Sequence, residues 1–191
     1  MIQSKTDLKE YLYQDKIALG IKRKKPKMFG DEIWKYERLL RKLEYATNCR
    51  KNKLYRYFLA YKFHNMSQRL GFSISINVFD KGMAIAHYGT IVVGTNAKIG
   101  KNCRIHEGVC IGATNGSEVY PVIGDNCFIA TGAKIIGDIT IGNNVAIGAN
   151  AVVVKSCTQD NVTLGGIPAK IISSNNSFSN LSPLLQENNL L

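Results

Sequence analysis

The stretch VIGDNCFIATGAKIIGDITIGNNVAIGANAVVV, residues 122–154, decides the fold. Every sixth position in it is a β-branched aliphatic: Ile123, Ile129, Ile135, Ile141, Ile147 and Val153. A helix repeats its apolar face about every 3.6 residues and a strand every 2, so neither accounts for a period of six. The period runs backward through Ile111, Ile105 and Ile99 to Val93, and fails only at Ser117, inside ATNGSEVYP (113–121). Glycine follows the aliphatic at Gly94, Gly100, Gly112, Gly124, Gly142 and Gly148. Four residues after each aliphatic except Ile111 stands a small or aliphatic side chain: Ala97, Cys103, Val109, Cys127, Ala133, Ile139, Val145, Ala151 and Cys157.

A chain with this rhythm is a coil with three short flat faces, one strand and one turn per hexad, and three hexads (about 18 residues) per turn of the coil. The aliphatic points inward and stacks on its counterpart one coil away, and the residue four later is small where the interior narrows. Glycine and asparagine at the turns tolerate unusual backbone angles. One coil cannot bury its own core, so stacking supplies the stability. Cys103, Cys127 and Cys157 fall in the small inward slot and read as packing residues. With Cys49 and Cys110 they make five, an odd number with no CxxC spacing, which predicts reduced thiols rather than disulfides or zinc ligands. No metal is expected.

The first 70 residues follow another rhythm. They hold 18 Lys and Arg against 7 Asp and Glu, a net +11, whereas residues 71–191 hold 7 of each. Such a field favours an acidic partner: an anionic polymer, a nucleic acid, a membrane surface or a phosphorylated carrier; a plain solvated basic face is the alternative. Ile33, Trp34, Tyr36, Leu39, Leu40, Leu43 and Tyr45 recur at helical spacing, with Asp31 placed to cap the helix. A second helix over about 53–70 carries Leu54, Tyr57, Phe58, Tyr61, Phe63 and Leu70, which this pattern assigns to packing. His64 is expected to pack or cap there. KRKKPK (22–27) lies in a loop between helices. No run reaches the length of a membrane span and the N-terminus lacks an apolar signal core, so a cytoplasmic location is expected.

The repeat resembles the hexapeptide-repeat acyltransferases, whose fold is a left-handed parallel β-helix. That resemblance, and not the periodicity, implies the handedness. The predicted class is thus mainly β, with an α-helical basic region at 1–70, the β-helix at 71–172 and a flexible Asn/Ser-rich tail at 173–191. AHYGTIVVGTNAKIGKNCRIHEGVCIGA, VIGDNCFIATGAKIIGDITIGNNVAIGANAVVVKS and GGIPAKII are similar to the serine acetyltransferase branch over about residues 71–172. In that branch a histidine opening the coil is the general base; the match is His87, in HYGTIVV. Three positions depart from it. Ala86 stands where the branch has an aspartate paired with the base, and Val119 and Tyr120 stand where it has an arginine and a histidine that hold serine.

The resemblance implies an acetyl-CoA-dependent O-acetyltransferase that works by direct transfer. A histidine near neutral pKa suits removal of a hydroxyl proton. His87 is therefore the base candidate, or else a cap over the first coil. Counted back by six from Val93, it occupies the next inward position. His106, one coil later, either contacts the acceptor or CoA or is a surface histidine. Glu107 is placed by coil spacing to orient His87 in place of the missing aspartate. By the match, Ala113, Thr131, Gly132 and Ala149 line a CoA groove shared between neighbouring subunits of a homotrimer, with Lys155 and Lys170 near the nucleotide phosphates. Tyr120 either stacks on a sugar ring or covers the coil. The lost serine-holding residues and the basic N-terminal third point to a sugar hydroxyl of a surface, capsular-type polysaccharide or its precursor as acceptor, with a membrane surface as a further partner and no nucleic acid. Serine O-acetylation is the alternative within the family. A non-catalytic trimeric scaffold binding an anionic polymer is the alternative outside it.

Overall fold

The computed structural model describes all residues 1–191. Three helices come first. Helix α1 spans Lys5–Ala18, and the Ser4 hydroxyl caps it by accepting from the Asp7 amide at 3.0 Å. Helix α2 spans Glu32–Asn48, and α3 spans Lys53–Leu70. Asn52 caps α3, and Gly71 ends it in the left-handed conformation at φ 81°. None of the helices is long and apolar enough to cross a membrane.

Two expectations about the helices are corrected. Asp31 sits at φ 55° and makes no cap hydrogen bond. Its carboxylate instead accepts from the Lys27 amide at 2.7 Å and pairs with Arg23, closing the basic loop on itself. The aromatic face of α3 is largely outside: Tyr57, Phe58 and Tyr61 are 62%, 53% and 67% exposed, and His64 is exposed too. Helix α3 meets the rest of the chain through Leu59, Phe63, Met66 and Leu70, so only one of its apolar stripes is covered.

The coil begins at Phe72, straight after α3. Its first face stacks β1 (Phe72–Ile74), β3 (Ile91–Val93), β6 (Cys110–Gly112), β9 (Lys134–Ile136) and β12 (Val152–Val153). The second face holds β4 (Lys98–Ile99), β7 (Val122–Ile123) and β10 (Thr140–Ile141). The third holds β2 (Ala84–Ile85), β5 (Arg104–Ile105), β8 (Phe128–Ile129), β11 (Ala146–Ile147) and β13 (Thr163–Gly166). All these pairings are parallel; β14 (Ala169–Ser173) folds back antiparallel on β13 and ends the coil. The aliphatic ladder fills the interior: Ile85, Ile105, Ile129 and Ile147 are in register on one face, and Val93, Ile111, Ile135 and Val153 on another. Each such side chain, fully buried, contributes about 1.5–3 kcal/mol.

The corner between the second and third faces is an asparagine ladder. Asn102, Asn126, Asn144 and Asn161 all adopt positive φ, between 54° and 59°. Each of the first three donates its side-chain amide to the next, at 2.9, 3.0 and 3.1 Å. Asparagine tolerates the left-handed region and its amide both donates and accepts, so one residue type meets both demands of the corner.

This ladder also corrects the expectation of a loose tail. Ser177 donates its amide to Asn144 O and its hydroxyl to Asn126 O, and the Asn102 side chain donates to Leu190 O at 2.7 Å. A last short helix, α4 (Pro183–Glu187), then buries Leu184 and Leu185 with Leu181 against Ile17, Ala18 and Ala84. The polar composition of the tail hid three well-placed leucines and a serine.

Helices α1 and α2 grip the first coil through a buried ionic cluster. Arg41, fully buried, donates to both Asp15 oxygens at 2.8 and 3.2 Å and to Glu44 at 3.0 Å. It also donates to the Phe79 and Asp80 carbonyls at 2.9 and 2.7 Å. Asp15 accepts from the Gly82 and Met83 amides, Glu44 from the Asn77 amide and Glu37 from the Ile85 amide. Burial pulls the Arg41 pKa down, and the Asp15 and Glu44 carboxylates more than reverse it, so the guanidinium stays charged. The strand that leads into His87 is thus clamped by side chains of the helical region.

Part of the excess positive charge lies in the groove between α2 and α3. A cleft of about 660 Å³ between α2 and α3 is lined by Lys35, Arg38, Lys42, Lys62 and Arg69, with Glu32 at its edge pairing to Lys35 and Arg69.

Candidate functional site

The corner between the third and first faces carries the chemistry. Four turns stack there, one per coil: residues 86–90, 106–109, 130–133 and 148–151. They bring His87, His106, Glu107, Thr131, Gly132 and Ala149 onto one ridge. Backbone hydrogen bonds link the turns in sequence: Gly108 N to Thr90 O at 2.7 Å, Gly132 N to Glu107 O at 2.9 Å and Asn150 N to Thr131 O at 2.9 Å.

His87 is not the next rung of the ladder. The rung is Ile85, paired with Ile105. Ile85 and Val93 stand eight positions apart, whereas Ile105–Ile111, Ile129–Ile135 and Ile147–Val153 stand six apart. The first turn of the ridge therefore carries two extra residues, and they lift His87 out of the interior into solvent. Counting by six across an irregular turn misassigned the direction of the ring, and the consequence favours chemistry, since an exposed imidazole can meet a substrate.

The rings of His87 and His106 lie edge to face with centroids 5.3 Å apart, and His106 rests in the same way on Phe128 at 5.1 Å. Partial burial pushes the His106 pKa down, and the neighbouring Arg104 and His87 push it the same way, so His106 is neutral at neutral pH. Its Nε2 is shielded from solvent without a hydrogen-bond partner. Glu107 is held from the next coil: the Thr131 hydroxyl donates to its Oε1 at 2.6 Å. That hydrogen bond, followed by weaker pulls that include the two histidines, lowers the Glu107 pKa, so the group is a carboxylate. Its Oε2 is shielded and unpartnered. One ligand atom from each of His87, His106 and Glu107 lies within 4.8 Å of the other two.

The approach of Glu107 depends on Gly89. This residue sits at φ +134°, and a Cβ there would lie 3.0 Å from the Glu107 Cβ. Glycine lets the His87 turn close over Glu107.

The other sequence-assigned residues lie elsewhere in the chain. Ala113 opens the long loop at the corner between the first and second faces, and Lys155 lies at the same corner in the last coil. Lys170 is exposed on β14. Tyr120, at the end of that loop, lays its ring on Gly94, where a Cβ would come within 2.0 Å of Tyr120 Cε1, and it packs against the core cluster. Within one chain it covers the coil at the opposite end of β3 from His87. Sequence reading missed Phe128 under His106 and the use of the Thr131 hydroxyl to hold Glu107. The signal for the second was available: Glu107 and Thr131 are 24 residues apart, the same interval as the Arg104–Phe128 pairing.

Cys103 and Cys127 are buried in the small inward slot, and burial pushes the Cys127 thiol up to about 12. Neither is a nucleophile.

Residues 120–155 match the family model described as bacterial transferase hexapeptide (six repeats). A serine acetyltransferase of Staphylococcus xylosus is 35% identical over 145 residues, 73% of this chain and 62% of that protein. The chain spans less than two thirds of the length of the curated relatives it matches. Among solved structures, serine acetyltransferase from Brucella abortus in complex with coenzyme A aligns with a TM-score of 0.69 at 26% identity, over 90% of this chain and 70% of that one. The Neisseria gonorrhoeae enzyme in complex with serine aligns with a TM-score of 0.68 at 25% identity, over 89% and 71%. The left-handed parallel β-helix behind N-terminal helices, implied by the resemblance, is the fold of this chain. The polysaccharide acceptor is corrected: the relatives and the solved neighbours are serine acetyltransferases. That expectation gave weight to Tyr120 as a sugar platform, and Tyr120 is spent on covering Gly94.

Proposed function

We propose that this chain, similar to the serine acetyltransferases along its whole coil, transfers the acetyl group of acetyl-CoA to the hydroxyl of L-serine. The observation that carries the reading is the exposed His87 beside His106 and the Glu107 carboxylate on one ridge. His87 takes the proton of the serine hydroxyl as its oxygen attacks the thioester carbonyl. Backbone N–H groups of the ridge turns stabilise the oxyanion of the tetrahedral adduct. The adduct collapses, the carbon–sulfur bond breaks, and the proton on His87 passes to the departing thiolate. The products are O-acetylserine and CoA.

Glu107 replaces the aspartate absent at Ala86. It stands beside His106 in the second ridge turn, reaches His87 from the next coil and is held in place by Thr131. Its negative charge stabilises the imidazolium formed in the transition state, the task of the carboxylate that orients a catalytic histidine. His106 provides a neutral ring against which His87 is positioned.

The assigned CoA residues fall on two corners of one chain, and a homotrimer reconciles them. Thr131, Gly132 and Ala149 of one copy would face Ala113 and Lys155 of the next around a threefold axis, with the small residues leaving room for the pantetheine arm and Lys170 near the phosphates. The test is release of CoA thiol from acetyl-CoA with and without L-serine. Serine-dependent release that falls by about 10²–10⁴ in His87→Ala is expected, the range for loss of a general base. Release that is independent of serine, or that survives His87→Ala, refutes the reading.

A further inference from the structure

We propose that His87, His106 and Glu107 form a capture site for a divalent transition metal ion, and that occupancy shuts the site down. Spacing along the chain does not announce such a site, because His87 and His106 are 19 residues apart and come from different coils. The fold brings their ligand atoms, with one carboxylate oxygen of Glu107, within 4.8 Å of one another. Three points that close fit inside a circle of radius about 2.8 Å. Zinc binds imidazole nitrogen and carboxylate oxygen at about 2.0–2.2 Å, so each atom has to move inward by less than about 1 Å. Such shifts lie within the reach of side-chain rotation for an exposed histidine.

Three further features suit an ion. The His106 Nε2 and the Glu107 Oε2 are shielded and have no partner, so neither has to give up a hydrogen bond to the protein. The other Glu107 oxygen is already fixed by Thr131, the outer hydrogen bond that typically orients a ligating carboxylate. Each imidazole in its neutral form offers a lone pair to an ion. Two imidazoles and one carboxylate select zinc, cobalt, nickel or copper over magnesium or calcium. Arg104 is the opposing charge beside the site, and Glu107 offsets it. A bound ion would occupy the lone pair that His87 needs as a base. Metal binding stands on the geometry alone; the inhibitory consequence rests on the proposed transfer reaction.

The experiment uses the full-length, chelator-treated protein. Calorimetric titration with Zn²⁺ and absorption titration with Co²⁺ should show saturable binding at one ion per chain. The Co²⁺ spectrum should show visible d–d bands without a thiolate charge-transfer band, which separates this site from Cys49, Cys110 and Cys157; the two variants below separate it from the exposed His64. Glu107→Gln, close in shape and expected to fold, and His106→Ala should each weaken binding at least tenfold. Absence of saturable binding, a thiolate band, or unchanged affinity in both variants overturns the proposal. Serine-dependent transfer in the wild type should stop with Zn²⁺ and return with chelator; binding without inhibition overturns the second half. Transfer without metal binding would sink the metal site and leave the enzyme reading standing, and the converse result would do the reverse.

Discussion

Replacing Arg41 by methionine tests the clamp between the helical region and the first coil. The guanidinium makes five hydrogen bonds and is fully buried, as are its Asp15 and Glu44 partners. Methionine fills most of the volume, so the loss is electrostatic rather than a cavity. It leaves two buried carboxylates without a counter-charge and two backbone carbonyls, of Phe79 and Asp80, without donors. Removing one partner of a buried ion pair costs about 3–5 kcal/mol. For a chain of this size that corresponds to a fall in Tm of about 6–20 °C, at 2–4 °C per kcal/mol. The companion variant Asp15→Asn/Arg41→Met/Glu44→Gln removes all three charges. Its amide oxygens can still accept from Gly82, Met83 and Asn77, so it should recover most of the loss. Thermal melts at one protein concentration measure both, with urea unfolding as the second probe. A single variant within about 1 kcal/mol of wild type, or a triple variant no better than the single, would refute the account of the clamp as a charge-balanced cluster.

Glu37 is buried, and that burial, with Asp15 second, raises its pKa well above the usual 4.5. A carboxyl whose folded pKa is raised binds its proton more tightly in the folded state, so its contribution is present below about pH 4.5 and is lost as pH rises toward the folded value. Stability measured by urea midpoint should therefore decline with pH over that window in the wild type and less steeply in Glu37→Gln. Asn126→Ala breaks two rungs of the ladder and places a Cβ-bearing residue without side-chain polarity at φ 55°, with an expected cost of about 2–4 kcal/mol by chemical denaturation. Asn126→Gly keeps the backbone angle and should lose only the hydrogen-bonding share. Thiol labelling of the native protein should spare Cys103 and Cys127 until denaturant is added, whereas Cys49, Cys110 and Cys157 are partly accessible.

The legible part of this protein was the part that repeats. Ile123, Ile129 and their equivalents report the same environment ten times, so a local rhythm sufficed to predict the coil, its inward ladder and its packing cysteines. The helices were legible as elements from their spacing, but not the face each presents. Tyr57, Phe58 and Tyr61 follow a helical period and yet remain outside, because periodicity says which residues share a stripe and not whether anything covers it. Asp31 had the right chemistry for a cap and was taken by the Lys27 amide and Arg23. The tail read as loose from its composition, while Ser177 and three leucines found partners on the asparagine corner and α1.

His87, His106 and Glu107 were each legible as candidates; their meeting was not. The coil-to-coil interval is 20 residues between Ala84 and Arg104, 24 between Arg104 and Phe128 and 18 between Phe128 and Ala146. Insertions at different corners change which residues stack, and a count along the chain cannot tell at which corner the extra residues are absorbed. The sequence alone determined the architecture, because each coil buries its core by the same local pattern and the pattern repeats. Only the tertiary structure decided the site, because its geometry is set where the pattern breaks: two extra residues lift His87 into solvent, Gly89 lets Glu107 approach, and Thr131 of the following coil holds that carboxylate in place.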